Sequence, residues 1–131
     1  LLSTLDPRLQ YSVQYIPLSS IDEFAFTHGR MVGAPHEQSA QREALRHAQW
    51  TVSPLARPPV LPSETVRVMA GEADAVTGRV HAEPLARHFG TSVVTFEGGH
   101  LLQFGRSRAF APVWQMLLEH GYIERMPKGV R

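Results

Sequence analysis

The sequence predicts an α/β fold built on parallel strands. Two short apolar runs, Val66 to Ala70 and Ser92 to Phe96, are rich in valine and end close to glycine, as buried parallel strands do. A segment of mostly helical character, Gly78 to Phe89, connects them. A strand, a crossover helix and a second strand form a βαβ unit, and its two strands end at the same edge of the sheet. Ligands and chemistry in open α/β sheets collect at that edge.

The composition is that of a soluble globular protein. The 131 residues are enough for one hydrophobic core, and 43% of them are hydrophobic. A net charge of +1 with dispersed basic residues gives no field for nucleic acid or a membrane surface, so neither is expected as a partner. No apolar run reaches the length of a membrane span, and no signal peptide is recognisable. The absence of cysteine excludes disulfides and thiolate metal sites and leaves the compartment open, with the cytoplasm slightly favoured.

The N-terminal half is predicted to supply one strand and two helices. Apolar and polar residues alternate near the N-terminus as in a half-buried strand, the apolar members being Leu9, Tyr11, Val13 and Tyr15. A helix through Leu2, Leu5 and Leu9 is the alternative for the first part of this segment. A capping box, Ser20 to Glu23, predicts the start of the first helix, which Gly29 or Gly33 could end. Pro35 opens a second, mostly polar helix that runs to Trp50.

The C-terminal half is predicted to hold the βαβ unit and a final helix. Four prolines between Ser53 and Ser63 indicate an extended connection to the strand at Val66. In the crossover helix, Pro84 is expected to be tolerable only in the first turn. Ser107 is predicted to cap the last helix, which Gly121 ends. Its apolar residues have the spacing of a core-facing stripe: Phe110, Val113, Trp114, Leu117 and Leu118.

Two side chains that can do acid–base chemistry follow the predicted strands. Asp74 lies in the turn after Gly71, and His100 follows Gly98-Gly99. Because both strands end at one edge, we expect these side chains to lie next to each other. An imidazole that takes a proton from a nucleophile needs a buried carboxylate to fix its tautomer and stabilise its charged form.

Each of these residues also has a plainer interpretation when taken alone. An aspartate after a strand is usually a turn or cap residue, and a histidine after two glycines is usually a loop residue. Glu72 and Glu97 are competing carboxylates near the same turns, and they rank below Asp74. His81 and His88 are seven residues apart, too far for the i, i+4 pair of a zinc helix, so no metal site is expected.

The motifs resemble the C-terminal part of the α/β-hydrolase family. The last two strands of that family typically end in a Gly-x-x-Asp turn and a Gly-Gly-His turn, which Gly71 to Asp74 and Gly98 to His100 match. The likeness spans Pro59 to Tyr122. It implies a doubly wound sheet in which Asp74 and His100 are the acid and the base of a Ser-His-Asp triad. The helical N-terminal half would then be cap-like.

One element of the family pattern is missing from the sequence. No Gly-x-Ser-x-Gly nucleophile elbow occurs in the 131 residues. The family order is serine, acid, histidine, so the resemblance implies a nucleophilic serine and an oxyanion hole on a segment or chain ahead of Leu1. The chain would then be part of a larger or two-chain enzyme. It divides into a strand and cap-like helices (1–58) and a C-terminal βαβα part of the core (59–131).

The resemblance implies a serine hydrolase of the esterase, lipase or amidase type, acting on a small acyl substrate without a cofactor. An acyltransferase shares the triad, and dehalogenases and epoxide hydrolases of this fold use an upstream aspartate instead. A non-catalytic binding protein on a hydrolase scaffold is the alternative from another class. A nucleotide-binding doubly wound fragment is a third, and it predicts a phosphate loop that the chain lacks.

Apolar residues of the two N-terminal helices are candidates for substrate binding. They could line a hydrophobic acyl pocket, although aromatic residues in helices more often belong to a core. The candidates are Phe24, Phe26, Met31 and Trp50.

Overall fold

The computed structural model describes residues 2–128 and has a mixed α/β architecture. Three parallel strands form an open sheet in the order β1-β2-β3. They are β1 (Ser12–Tyr15), β2 (Val66–Gly71) and β3 (Val93–Phe96). The predicted α/β class, with its parallel strand pair, is confirmed. All four residues of β1 are half-buried rather than alternating in burial.

Each strand is followed along the chain by one or two α-helices. Two of them separate β1 from β2, one joins β2 to β3, and two follow β3: α1 (Ile21–Thr27), α2 (Pro35–Trp50), α3 (Gly78–His88), α4 (Arg106–Ala109) and α5 (Ala111–Glu119). Short 3₁₀ turns occur at Leu2–Thr4, Pro54–Ala56 and Ser63–Thr65. The bounds of α2 agree with the prediction.

Strand β2 is buried on both faces. Its alternate residues Val66, Val68 and Ala70 join one hydrophobic cluster, which contains Ala82, Leu85, Ala86 and Phe89 from α3 and its end. Met69 points to the opposite face and joins a second cluster, with Phe96, Ala109, Val113, Met116 and Leu117. Helices therefore cover both faces of the sheet, as a parallel sheet requires.

The register of β2 and β3 brings their C-terminal ends level. Gly71 pairs with Phe96 at the end of the ladder, and the N–H of Glu72 donates to the carbonyl of Phe96 at 2.8 Å. The turn that follows β2 and the loop that follows β3 therefore start side by side. This register positions the two candidate acid–base residues at one edge.

Two local predictions are wrong. Pro84 is not in the first turn of a helix but is the seventh residue of α3. Proline has no N–H, so the carbonyl of Val80 loses its helical donor, and that residue is 50% exposed, where water can replace the donor. Ser107 does not cap the last helix, because it lies inside α4 with Gly105 at the N-cap. Gly105 has a φ of 74°, which favours glycine there.

Helix α2 is held by polar and charged contacts rather than by a buried apolar face, since none of its residues is buried. The buried carboxylate of Asp22 in α1 accepts hydrogen bonds from Arg46 Nη2 at 2.8 Å and Arg42 Nε at 3.3 Å. Burial alone would raise the pKa of Asp22, but hydrogen bonds from Ser20, Arg46 and Arg42 hold it below its ordinary value. Ser20 caps α1 as predicted, while the Glu23 carboxylate pairs with Arg42.

The central position of Met69 predicts a large cost of truncation. Met69→Ala should lower the free energy of unfolding by about 2–5 kcal/mol, because it leaves a cavity between β2 and α5. Val80→Ala, on the exposed side of α3, is the control and should change it by no more than about 0.5 kcal/mol. Urea unfolding followed by circular dichroism measures both. Equal effects of the two substitutions would contradict the two-faced burial of β2.

The Asp22 cluster predicts a selective loosening of α2. Asp22→Ala removes an acceptor of charged hydrogen bonds, so amide exchange in α2 should become about 10- to 100-fold faster. The exposed pair of Asp6 and Arg8 provides the control, and Asp6→Ala should leave α2 unchanged. Hydrogen exchange with mass spectrometry distinguishes the helices. If α2 is protected from exchange in Asp22→Ala as well as in the wild type, the Asp22 carboxylate does not hold this helix in place.

Candidate functional site

The turn after β2 holds Asp74 as a buried, ionised carboxylate. Its side chain is 0% exposed. Oδ1 accepts the backbone N–H groups of Val76 at 2.8 Å and Thr77 at 3.0 Å. Burial alone would raise the pKa of Asp74, but hydrogen bonds from Thr77, Val76 and His100 hold it below its ordinary value. Asp74 is therefore charged at neutral pH.

His100 meets this carboxylate from the loop after β3. Its Nδ1 lies 3.2 Å from Oδ2 of Asp74, although the two residues are 26 apart in sequence. Asp74 is thus both a turn residue, as its plainer interpretation has it, and the partner of the histidine. The structure brings together the two residues that the sequence singled out for acid–base chemistry.

The contact fixes the chemistry of the imidazole. An ionised carboxylate only accepts hydrogen bonds, so Nδ1 of His100 carries the hydrogen and the neutral ring has its lone pair on Nε2. The His100 side chain is 38% exposed, and no protein group between residues 2 and 128 is hydrogen-bonded to Nε2. Such a ring can take a proton from a group that approaches from outside the described chain.

Thr77 is a site residue that sequence reasoning missed. Its hydroxyl donates to Oδ2 of Asp74 at 3.1 Å and lies 3.4 Å from Nδ1 of His100. Thr77 is also the N-cap residue of α3. The available signal was its position, three residues after the aspartate and directly before a helix. Serine and threonine hydroxyls at such positions often form hydrogen bonds with nearby polar groups.

Two glycines allow the turns to pack backbone against backbone. A Cβ on Gly71 would lie 2.3 Å from the carbonyl oxygen of Gly98, and a Cβ on Gly98 would lie 2.4 Å from that of Leu102. The N–H of Ala73 also donates to the carbonyl of Gly98 at 3.3 Å. Gly71 is therefore required by the close approach of the two segments, and Gly98 by the tight turn of its own loop.

Helix α1 contacts the turn that carries Asp74. Nε2 of His28 lies 3.2 Å from the carbonyl oxygen of Ala75, and its Nδ1 lies 2.9 Å from that of Phe24. Carbonyl oxygens only accept, so a neutral imidazole donates to one of them at a time. On α3, His81 is 1% exposed, and burial lowers its pKa, which keeps that ring neutral. Helix α1 thus reaches the candidate site through its C-cap residue, His28.

The four predicted substrate-binding residues occupy different environments. Phe24 stacks on His28 with ring centroids 4.3 Å apart, and His28 in turn contacts the turn that carries Asp74. Phe26 is half-exposed beneath the Arg42 guanidinium, and Met31 is buried. Trp50 is exposed at the end of α2, where it lines an open groove together with other α2 residues. A role of these residues in an acyl pocket stays a prediction.

Glu72 and Glu97, the carboxylates that compete with Asp74 for the acid role, lie on an open surface of the protein. Glu72 accepts the hydroxyl of Thr95 at 2.9 Å, on the exposed side of β3. Glu97 lines the same open surface. Between residues 2 and 128 there is no group of three or more histidine or acidic side chains that could hold a metal ion.

Comparisons of the chain with protein-family models, with curated proteins and with solved structures find no match. In the described part of the chain, no helix combines the length and apolar character needed to cross a membrane.

The depressed pKa of Asp74 predicts how stability depends on pH. The ionised carboxylate of Asp74 stabilises the folded state fully above the ordinary aspartate pKa, about 3.9. This stabilisation is lost as the pH falls through the lower pKa of the folded state. Asp74→Asn should therefore be less stable than the wild type at pH 6, with a difference that shrinks as the solution is acidified below pH 4. Thermal unfolding at a series of pH values measures it. A difference that is the same at all pH values would show that the charge of Asp74 does not stabilise the fold.

Proposed function

We propose that this chain supplies the acid and the base of a serine hydrolase of the α/β-hydrolase type. The observation that carries the proposal is the contact between Asp74 Oδ2 and His100 Nδ1 at the C-terminal edge of a parallel sheet. A buried carboxylate bound to one nitrogen of a half-exposed imidazole is the arrangement that general-base activation of a hydroxyl requires.

The proposed reaction is acyl transfer to water. Nε2 of His100 takes the proton of a serine hydroxyl while the serine oxygen attacks the acyl carbon of an ester or amide. The imidazolium, stabilised by Asp74, then protonates the leaving group, and an acyl-enzyme remains. Water deprotonated by the same nitrogen attacks the acyl carbon and releases the acid, and His100 returns the proton to the serine.

The nucleophile is proposed to come from another segment or chain, because the sequence has no Gly-x-Ser-x-Gly elbow. The sheet has room for such a partner, since the side of β1 that faces away from β2 is unpaired in residues 2–128. Three apolar residues that follow His100 are also exposed: Leu101, Leu102 and Phe104. These features support an enzyme completed from outside the described chain, and transfer to an acceptor other than water would use the same groups.

The missing elbow also favours a second candidate, a non-catalytic binding protein on a hydrolase scaffold. In that case the Asp74–His100 pair serves only to hold the two turns together. Kinetics can distinguish the two candidates, because only the hydrolase turns over acyl esters and loses that turnover when either side chain is removed.

The test is hydrolysis of chromogenic acyl esters by the native protein together with any chain that co-purifies with it. Asp74→Asn should lower turnover by about 10⁴-fold, since neutralising the triad carboxylate has that effect in a well-studied hydrolase, and His100→Ala should be at least as severe. Glu72→Gln and Glu97→Gln are matched controls and should keep wild-type rates. Circular dichroism verifies that each variant is folded.

Wild-type turnover in folded Asp74→Asn or His100→Ala would rule out the proposed roles. A native protein that hydrolyses no ester, and whose binding partners are unaffected by either substitution, would favour the binding protein instead.

A further inference from the structure

The loop that carries His100 has little apolar anchoring. Leu101, Leu102 and Phe104 are 88%, 68% and 66% exposed. Within the loop, the N–H of Gly98 donates to the carbonyl of Phe104 at 3.1 Å, and the N–H of Gly99 donates to that of Leu102 at 2.8 Å. These backbone bonds shape the loop, and the N–H of Ala73 joins its start to the turn after β2 through the carbonyl of Gly98. Beyond Gly98, the orientation of His100 depends on side-chain contacts.

Gln103 contacts the backbone of the histidine through its side chain. Its Nε2 donates to the carbonyl oxygen of His100 at 3.1 Å, and its Oε1 accepts from Tyr15 at 2.7 Å and from Arg106 at 3.0 Å. The orientation of the amide is determined by its partners, because a guanidinium can only donate and a carbonyl oxygen can only accept. Gln103 therefore bridges the histidine to two other elements.

The far end of this bridge is rigid. Tyr15 is the last residue of β1 and pairs with Met69 of the buried central strand. Its ring stacks on Phe96 at 5.6 Å and contacts Phe110 at 5.4 Å. Burial raises the pKa of Tyr15 despite the nearby Arg106 charge, so its hydroxyl stays protonated and can donate.

We propose that Gln103 is a positioning residue, which links Tyr15 of β1 to the backbone of His100 and so keeps Nδ1 of the imidazole on Asp74. The proposal gives the role of a base to His100 and in that respect rests on the proposed function. The positioning itself is a property of the folded chain and is measurable without turnover. A glutamine on an exposed loop thereby acquires a role that its sequence position does not indicate.

The test is the exchange of the His100 Nδ1–H proton with water, followed by NMR in the 131-residue chain at low temperature. The resonance is identified by its absence in His100→Ala. Gln103→Leu should exchange about fivefold faster, the factor that corresponds to one ordinary hydrogen bond. Gln103→Glu keeps the acceptor for Tyr15 and Arg106 but loses the donor to His100, so it should exchange at least as fast as Gln103→Leu.

Two further variants complete the design. Tyr15→Phe keeps the ring between Phe96 and Phe110 but removes the hydroxyl, so it should accelerate exchange with the fold intact. If Gln103→Leu does not fold, Tyr15→Phe still tests the proposal. Gln115→Leu is the matched control and should behave as the wild type, because Gln115 bonds Glu119 alone among residues 2–128, on the exposed side of α5.

Wild-type exchange in folded Gln103→Glu and Tyr15→Phe would overturn the proposal. A wild-type chain without a protected Nδ1–H resonance would overturn it as well. If the protein hydrolyses esters, the same variants should lower kcat and leave KM unchanged, whereas an effect on KM alone would contradict a positioning role. Failure of the protein to hydrolyse any ester would bear on the proposed function and leave the exchange result intact.

Discussion

Burial of β2 on both faces is the constraint on which the candidate site depends. Val66, Val68 and Met69 are fully buried, and burial of each contributes roughly 1.5–3 kcal/mol. A one-residue slip of this strand would exchange its two faces and mismatch both clusters, so the register is strongly specified. The fixed register brings Gly71 level with Phe96, so the loops that follow them start side by side. The contact between Asp74 and His100 is a consequence of core packing as much as of their own attraction.

The parts of this arrangement that sequence could predict are those with a local pattern. Valine-rich runs ending near glycine identify β2 and β3, and the edge rule for parallel strands then places Asp74 beside His100. The bounds of α2 were equally accessible, since Pro35 suits only the first turn of a helix and strong helix formers run from it to Trp50. The apolar stripe of α5 was also predicted, although it omitted Met116, which is fully buried.

The parts that sequence could not predict depend on side chains that are distant in sequence. Tyr15 and Gln103 are 88 residues apart, and no spacing rule connects them. Asp22 has the appearance of an ordinary first-turn acid, and it is buried because two arginines on α2 reach back to it. Pro84 could not be placed from propensity alone, because what permits it in the interior of α3 is the exposure of Val80, a tertiary property. Local rules thus locate the catalytic candidates, while tertiary contacts decide how firmly they are held.

The most direct measurement of the central claim is labelling of the native protein by a fluorophosphonate probe, followed by intact mass and peptide mapping. We expect a labelled serine on a segment or companion chain outside residues 1–131, with labelling abolished in His100→Ala. That result would establish His100 as the base that activates the serine. A folded 131-residue species that stays unlabelled under the same conditions, with no companion chain, would contradict the account and show that the Asp74–His100 pair is structural.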